Sequence, residues 1–421
     1  MAGEWLISVD DHVIEPQHVW VDRLPAKHRD RGPRWRSFDD GEAWQFEDRR
    51  IPVAANATNG AIADERRRPS PFDSLRWDQI EPACYEPAAR VSAMDVHHEI
   101  AALCFPNMAG FSGSVFQRAK DKELALACIR AYNDWFREEW CEAFPGRFIG
   151  LALLPLWDAQ LAVAEAERAV GLGARAVSFN QAPQANGLPP VADEHWAALF
   201  SFLDETATPV CTHLGTGIPA TDEGDQATQL ANAARDSDLT VIARRMGMAD
   251  EGRRARGGLL PGAMTSLLGA RMGQDTLADW LDSGAFERWP DLRLALSENG
   301  VGWIPSVLSF ADWQDEMAKQ AAGPDGIDVP RPSEQARAHV YGCFVHEPIT
   351  TALLAELGED NVMIECDFPH TATNWPHSVA RADTCLAGLD ELVRRKVLRG
   401  NAERLFRFTP AHATATADAA G

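Results

Sequence analysis

The stretch WLISVDDH, Trp5–His12, runs through five apolar or small residues and closes on two acids and a histidine. A short apolar run of this kind reads as a buried strand, here with polar, chemistry-bearing side chains at its carboxyl end. The same reading recurs at Ile100–Phe105, Phe148–Pro155, Ala174–Asn180, Thr208–His213, Leu292–Glu298, His339–Phe344 and Val362–Asp367. Amphipathic stretches at Lys122–Cys141, Ala159–Val170, His195–Glu205, Leu277–Trp289, Pro348–Leu357 and Leu386–Leu398 separate most of these runs. Eight strands alternating with helices predict an α/β protein, a (β/α)8 TIM barrel closed by a parallel sheet.

The chain has 421 residues, against the roughly 250 that a plain barrel needs. The surplus falls in two connections, about 16–94 after the first strand and about 214–290 after the fifth, both too long for plain loops. Both lie on the carboxyl-terminal side of the strands, where they can cover a substrate. The stretch Gly252–Gly273 within the second reads as partly mobile. We expect one barrel domain over 1–408, with 409–421 a disordered tail.

A net charge of -22 disfavours nucleic acid, whose phosphates would be repelled. Eight cysteines are scattered without a C-x-x-C pair, which fits reduced thiols in a cytoplasmic protein. The N-terminus lacks the basic and apolar regions of a signal peptide. No apolar run reaches the roughly 18 residues of a membrane span.

Strand ends carry the chemistry. Asp10 and His12 are two apart in an extended segment, so they face the same way and can share a cation; Glu15 lies just beyond and can fold back. His213 ends the run TPVCTHLGTG, where a hydrogen-bonded core histidine is the plainer alternative. Glu298 ends LRLALSENGVGW, where an isolated buried charge must be paired, protonated or metal-bound. Asp367 closes the eighth run in VMIECDFPHTATNWPHS, and the turn at Pro369 can return His370 to the mouth. His97, His98, His195 and His339 have no such position and read as structural. Several elements delivering His, Asp or Glu to one rim predict a metal centre.

These segments identify a family. SVDDHVIEP, THLGTG, LSENGVGWIP, DFPHTATNWPHS and GNAERLF, with PGRFIGLALLPLWD and AYNDWF, resemble the amidohydrolase-related proteins, the amidohydrolase 2 or ACMSD-like group, from Ser8 to Phe406. The resemblance implies a (β/α)8 barrel whose metal is held by a first-strand H-x-H, a fifth-strand histidine and an eighth-strand aspartate. Those positions fall here on Asp10, His12, His213 and Asp367, and Asn401 matches a position taken as structural. Many members hydrolyse or decarboxylate small carboxylic acids.

The chain departs from that pattern. Asp10 replaces the first histidine of H-x-H, Glu298 stands where decarboxylating relatives have a sixth-strand histidine, and no lysine ends the fourth strand, ARAVSFN. The candidate metal set is then Asp10, His12, Glu15, His213, Glu298, Asp367 and His370, with Glu298, Asp367 and His370 as catalytic candidates. Seven donors exceed one tetrahedral zinc and suit two divalent ions per chain, iron or manganese, with zinc as the alternative.

The leading expectation is a dinuclear non-haem monooxygenase that uses O2 to hydroxylate a small or medium organic acid. The alternative is a metal-dependent hydrolase or non-oxidative decarboxylase of a small carboxylic acid. A third reading is a subunit with a purely structural metal. Expected partners are the organic acid, O2 in the leading reading, and further subunits in a homo- or hetero-oligomer, with neither nucleic acid nor membrane. Arg244 and Arg245, in the second insertion, are candidate carboxylate binders.

Overall fold

All eight expected strands form. The computed structural model describes residues 5–71, 73–217, 261–322 and 329–411. The barrel strands are β1 (Leu6–His12), β2 (Glu99–Phe105), β3, β4 (Ala176–Phe179), β5 (Val210–His213), β6 (Leu294–Ser297), β7 (Val340–Phe344) and β8 (Val362–Ile364). Strand β3 consists of two short pieces, Phe148–Ile149 and Leu151–Ala152, on either side of Gly150. The first piece pairs with β2 and the second with β4, so β3 joins a β1–β2 ladder to the continuous β4–β8 ladder. Every pairing in the ring is parallel. At the last seam the Asp367 N–H donates to the Asp10 carbonyl and the His12 N–H to the Phe368 carbonyl, each at 2.7 Å.

Apolar side chains fill the barrel: Ile7, Val9, Leu103, Ile149, Cys211, Ala295 and Met363 belong to one buried cluster. The outer faces of the strands pack beneath the helices, as with Leu6, Val177, Val210, Leu294, Val340 and Ile364. In β1 the register slips between Ser8 and Asp11, which pair with Ala102 and Cys104. Val9 and Asp10 together therefore oppose Leu103. Such a bulge re-aims side chains, and here it places an acid directly after a core valine.

The first insertion is more ordered than its composition suggests. It contains a three-stranded antiparallel sheet, Arg34–Phe38, Gly41–Phe46 and Arg49–Ile51, and the helix Pro87–Val96. Its core includes Trp20, Trp44 and Phe116 in edge-to-face contact. In the second insertion the helix Pro261–Asp282 starts earlier than Leu277 and stops before Gly284, whose φ of 69° breaks it. Arg244, Arg245, part of Gly252–Gly273 and the tail from 412 lie outside the described residues. The expected helix at Leu386–Leu398 instead begins at Glu391, because Gly388 turns the chain and Asp390 caps the new start. All eight cysteines are free. Among the described residues no helix is long and apolar enough to cross a membrane.

Candidate metal centre

The carboxyl ends of β1, β5, β6 and β8 bring six of the seven expected donors together. Asp10 and His12 come from the bulged end of β1, His213 ends β5, Glu298 follows β6, and Asp367 and His370 follow β8. Glu298 (φ 57°) and Asp367 (φ 53°) both take the left-handed conformation. Non-glycine residues held there carry strain of order 1–3 kcal/mol, which clusters at functional sites. Here it turns each carboxylate out of its strand.

His12 Nε2 lies 3.4 Å from Asp10 Oδ1, 3.2 Å from Asp367 Oδ1 and 3.1 Å from His213 Nε2. His213 Nε2 lies 3.3 Å from Asp10 Oδ2. Both oxygens of Asp10 and of Asp367 are nonetheless buried without a hydrogen bond of acceptable geometry. The donor atoms thus form two overlapping sets, Asp10, His12 and His213, and His12, Asp367 and His370, each within 4.8 Å of one another and sharing His12. Donors about 2.0–2.1 Å from the centre of a tetrahedron stand about 3.3–3.4 Å apart, close to the observed spacing. Residues that leave buried carboxylates orphaned at metal-ligand separation fit a divalent cation.

Two groups flank this set. His370 Nδ1 lies 2.8 Å from Asp367 Oδ1, and its ring stacks on His12 at 3.7 Å. Glu298 Oε2 lies 3.6 Å from His213 Nε2. Side chains of Asp10, His12, His213 and Asp367 are fully buried, whereas Glu298 keeps 19% and His370 15% of their surface. These last two face the mouth. Phe111 covers His213 at 4.0 Å between ring centres and His12 at 4.9 Å.

Without a cation the charges are unfavourable. Burial, with Glu298, Asp367 and Asp11 nearby, holds the Asp10 carboxyl well above the usual range. Burial and the Asp367 charge push Glu298 up to about 8, and burial pushes Asp367 up to about 8. Burial and the neighbouring histidines keep His12 well below its ordinary value, and burial takes His370 to about 4. Neutral imidazoles are the ligating form.

Glu15 does not join the cluster. Its buried carboxyl group accepts the Met108 and Ala109 N–H groups at 2.8 and 3.1 Å, tying β1 to the loop after β2. Glu365 was not anticipated: it is buried and accepts the Glu298 N–H at 3.1 Å. Period-two spacing from Asp367 was the available signal, since i and i-2 share a strand face. His339 is structural as expected, bonded to the Leu292 carbonyl at 2.9 Å and stacked on Phe286. His97, also read as structural, contacts Glu99 at 2.9 Å beneath the seam.

The sequence profile of the amidohydrolase family matches residues 18–408. A gamma-resorcylate decarboxylase of Rhodococcus jostii (strain RHA1) is 25% identical over 353 residues, covering 79% of this chain and 91% of its own. The crystal structure of an amidohydrolase from Mycobacterium avium subsp. paratuberculosis K-10 aligns with a TM-score of 0.68 at 23% identity, covering 96% of this chain and all of that one. A dihydroxybenzoic acid decarboxylase from Polaromonas sp. JS666, solved with manganese and the inhibitor 2-nitroresorcinol, aligns with a TM-score of 0.56 at 18% identity, covering 97% and 98%.

Proposed function

The chain belongs to the amidohydrolase family, and on that premise we propose that it removes the carboxyl group of a small aromatic acid as carbon dioxide, without an oxidant. One observation carries this reading: two overlapping donor sets that share His12, each with an orphaned carboxylate, stand beside a partly exposed Glu298. The relatives named above that have an assigned activity are decarboxylases. Oxygen-dependent hydroxylation, favoured by the ligand set alone, has no counterpart among them and gives way to the alternative.

In this reading Asp10, His12, His213 and Asp367 hold a single divalent ion, manganese being the one that the Polaromonas enzyme carries. When bound, such an ion supplies Lewis acidity that orients the acid and steadies negative charge on it. Charge counting gives Glu298 its role. Asp10, Glu298, Asp367 and Glu365 would carry four negative charges, and one divalent ion balances two. The remaining two carboxyls, Glu298 and Glu365, therefore hold protons. Glu298, open to the mouth, delivers its proton to the ring carbon that bears the carboxylate. The carbon–carbon bond to that carboxylate then breaks, its electron pair returns to the ring, and carbon dioxide leaves. Water returns the proton to Glu298. Phe111 and His370 line the approach and limit water there.

Metal-loaded protein supplied anaerobically with a panel of hydroxylated benzoates is expected to release carbon dioxide. Glu298→Gln should lower kcat by about 10²–10⁴-fold, the usual worth of a positioned acid, while manganese content stays near one ion per chain. Undiminished turnover by Glu298→Gln would remove it from the reaction.

Charge balance also supports a second reading. Two divalent ions would neutralise all four carboxylates without any proton, and the set His12, Asp367 and His370 would offer donors for the second. Two equivalents of iron or manganese by elemental analysis, together with oxygen uptake, would favour this dinuclear form and overturn decarboxylation.

A further inference from the structure

Directly behind the metal centre, on the outer face of the same strands, lies a second buried group of donors. Cys366 precedes Asp367, yet it packs in the outer core while Asp367 turns inward. His97 follows the helix Pro87–Val96, and Glu99 opens β2. One donor atom from each of His97, Glu99 and Cys366 lies within 4.8 Å of the others, and all three residues are buried. None of them contributes to the mouth of the barrel.

Their geometry repeats the signature of the main site. His97 Nε2 is 2.9 Å from Glu99 Oε2, yet both Glu99 oxygens are buried without a hydrogen bond of acceptable geometry. Close approach without alignment is what two ligands aimed at a third atom display, as Asp10 and Asp367 do around His12. The other ring nitrogen of His97 is held by Ser378 Oγ at 3.0 Å. Fixing one imidazole nitrogen in this way orients the other for a metal.

Charge points the same way. Asp11 and Glu99 adjoin one another, and Arg90 meets Asp11 at 3.4 Å. Two carboxylates against one guanidinium leave an excess of negative charge that a cation would offset. The competing account is one proton shared between His97 and Glu99, with Cys366 left as a neutral thiol. A set of thiolate, imidazole and carboxylate suits zinc, whereas the donors at the mouth include no sulfur.

We propose that His97, Glu99 and Cys366 form a structural zinc site on the outer face of the β1–β2–β8 seam, separate from the catalytic ion. Occupied, it ties the start of β2 to the end of β8 and so braces Asp367 from behind.

The test uses full-length protein produced in zinc-depleted, cobalt-supplemented medium. A thiolate-to-cobalt charge-transfer band in the near ultraviolet is expected, because among the described residues only the outer donor set includes a cysteine. The band should persist in His213→Ala, which disrupts the mouth, and vanish in Cys366→Ser with the loss of one equivalent of metal. Wild-type protein that takes up cobalt without this band would overturn the proposal, as would a band that survives Cys366→Ser. Should Cys366→Ser fail to fold, His97→Gln serves instead: loss of the band with one equivalent supports the site, and an unchanged band refutes it.

Discussion

Glu15 keeps a proton that the unfolded chain would release, since burial pushes its carboxyl from 4.5 up to about 7. The folded state therefore binds more protons than the unfolded state between those values, and stability falls as pH rises through that window. This contribution is present below pH 4.5 and gone by about pH 7. Urea midpoints measured across the window should show a downward slope that Glu15→Gln reduces. That variant should also be less stable by about 1–3 kcal/mol, because its amide sets a donor against the Met108 or Ala109 N–H; an unchanged slope would mean Glu15 ionises normally. At the mouth, His213→Ala should lower metal content and kcat together, whereas a loss of kcat with full metal would make His213 something other than a ligand. Asp10, His12, His213 and Asp367 were legible from sequence because each ends an apolar run and a strand end points to the barrel mouth. Glu15 was not legible, because three residues past a strand the direction of the chain depends on which loop receives it.

Elements meet at the mouth through the first insertion, whose segment at Asn56–Gly60 docks on the loop that carries His370. The Gly60 N–H donates to the Pro369 carbonyl at 2.9 Å, and the Thr371 N–H to the Asn56 carbonyl at 2.8 Å. A Cβ at residue 60 would stand 2.3 Å from the His370 carbonyl oxygen and 2.8 Å from that of Pro369. Neither backbone atom can swing aside as a side chain does. Gly60→Ala should therefore shift this loop, destabilise the protein by about 1–3 kcal/mol and lower kcat. Normal melting with wild-type kcat would show that the loop tolerates the displacement. At the opposite end of β8, Asn401 donates to the Glu359 and Val362 carbonyls, both at 2.8 Å. Asn401→Leu leaves those carbonyls unpaired, for about 1–3 kcal/mol each, and a loss of stability with catalysis intact at low temperature would confirm a structural role. The eight strands were readable because a buried parallel strand is a nearly unbroken apolar run. The antiparallel sheet at 34–51 went unread because arginines and acids interrupt its alternation, although the Asp39–Asp40 turn before Gly41 is a hairpin signal.

Across the whole molecule, the barrel gathers the buried Asp10, Asp367 and Glu365 beside Glu298 at the mouth, and what balances them sets stability as well as activity. Sequence disclosed most of these acids but not the number of cations, because ion count depends on interatomic spacing that no residue pattern encodes. Metal and protons compete for the same oxygens. Burial holds the ligand carboxyls of Asp10 and Asp367 well above their ordinary range in the metal-free protein, so a cation displaces protons from these two and binds more tightly as pH rises. A ligand at a thousandfold above its Kd stabilises the folded state by about 4 kcal/mol, on the order of 5–10 °C for a large chain. Chelator should therefore lower the melting temperature by that order near pH 8, and manganese should restore it. Near pH 6 the gap should shrink, because protons already neutralise the carboxyls that the ion would serve. Differential scanning of stripped and reloaded protein at both pH values reads this directly. A melting temperature indifferent to chelator at both would mean that the convergent acids balance one another by protons alone and that the mouth of this barrel holds no resident ion.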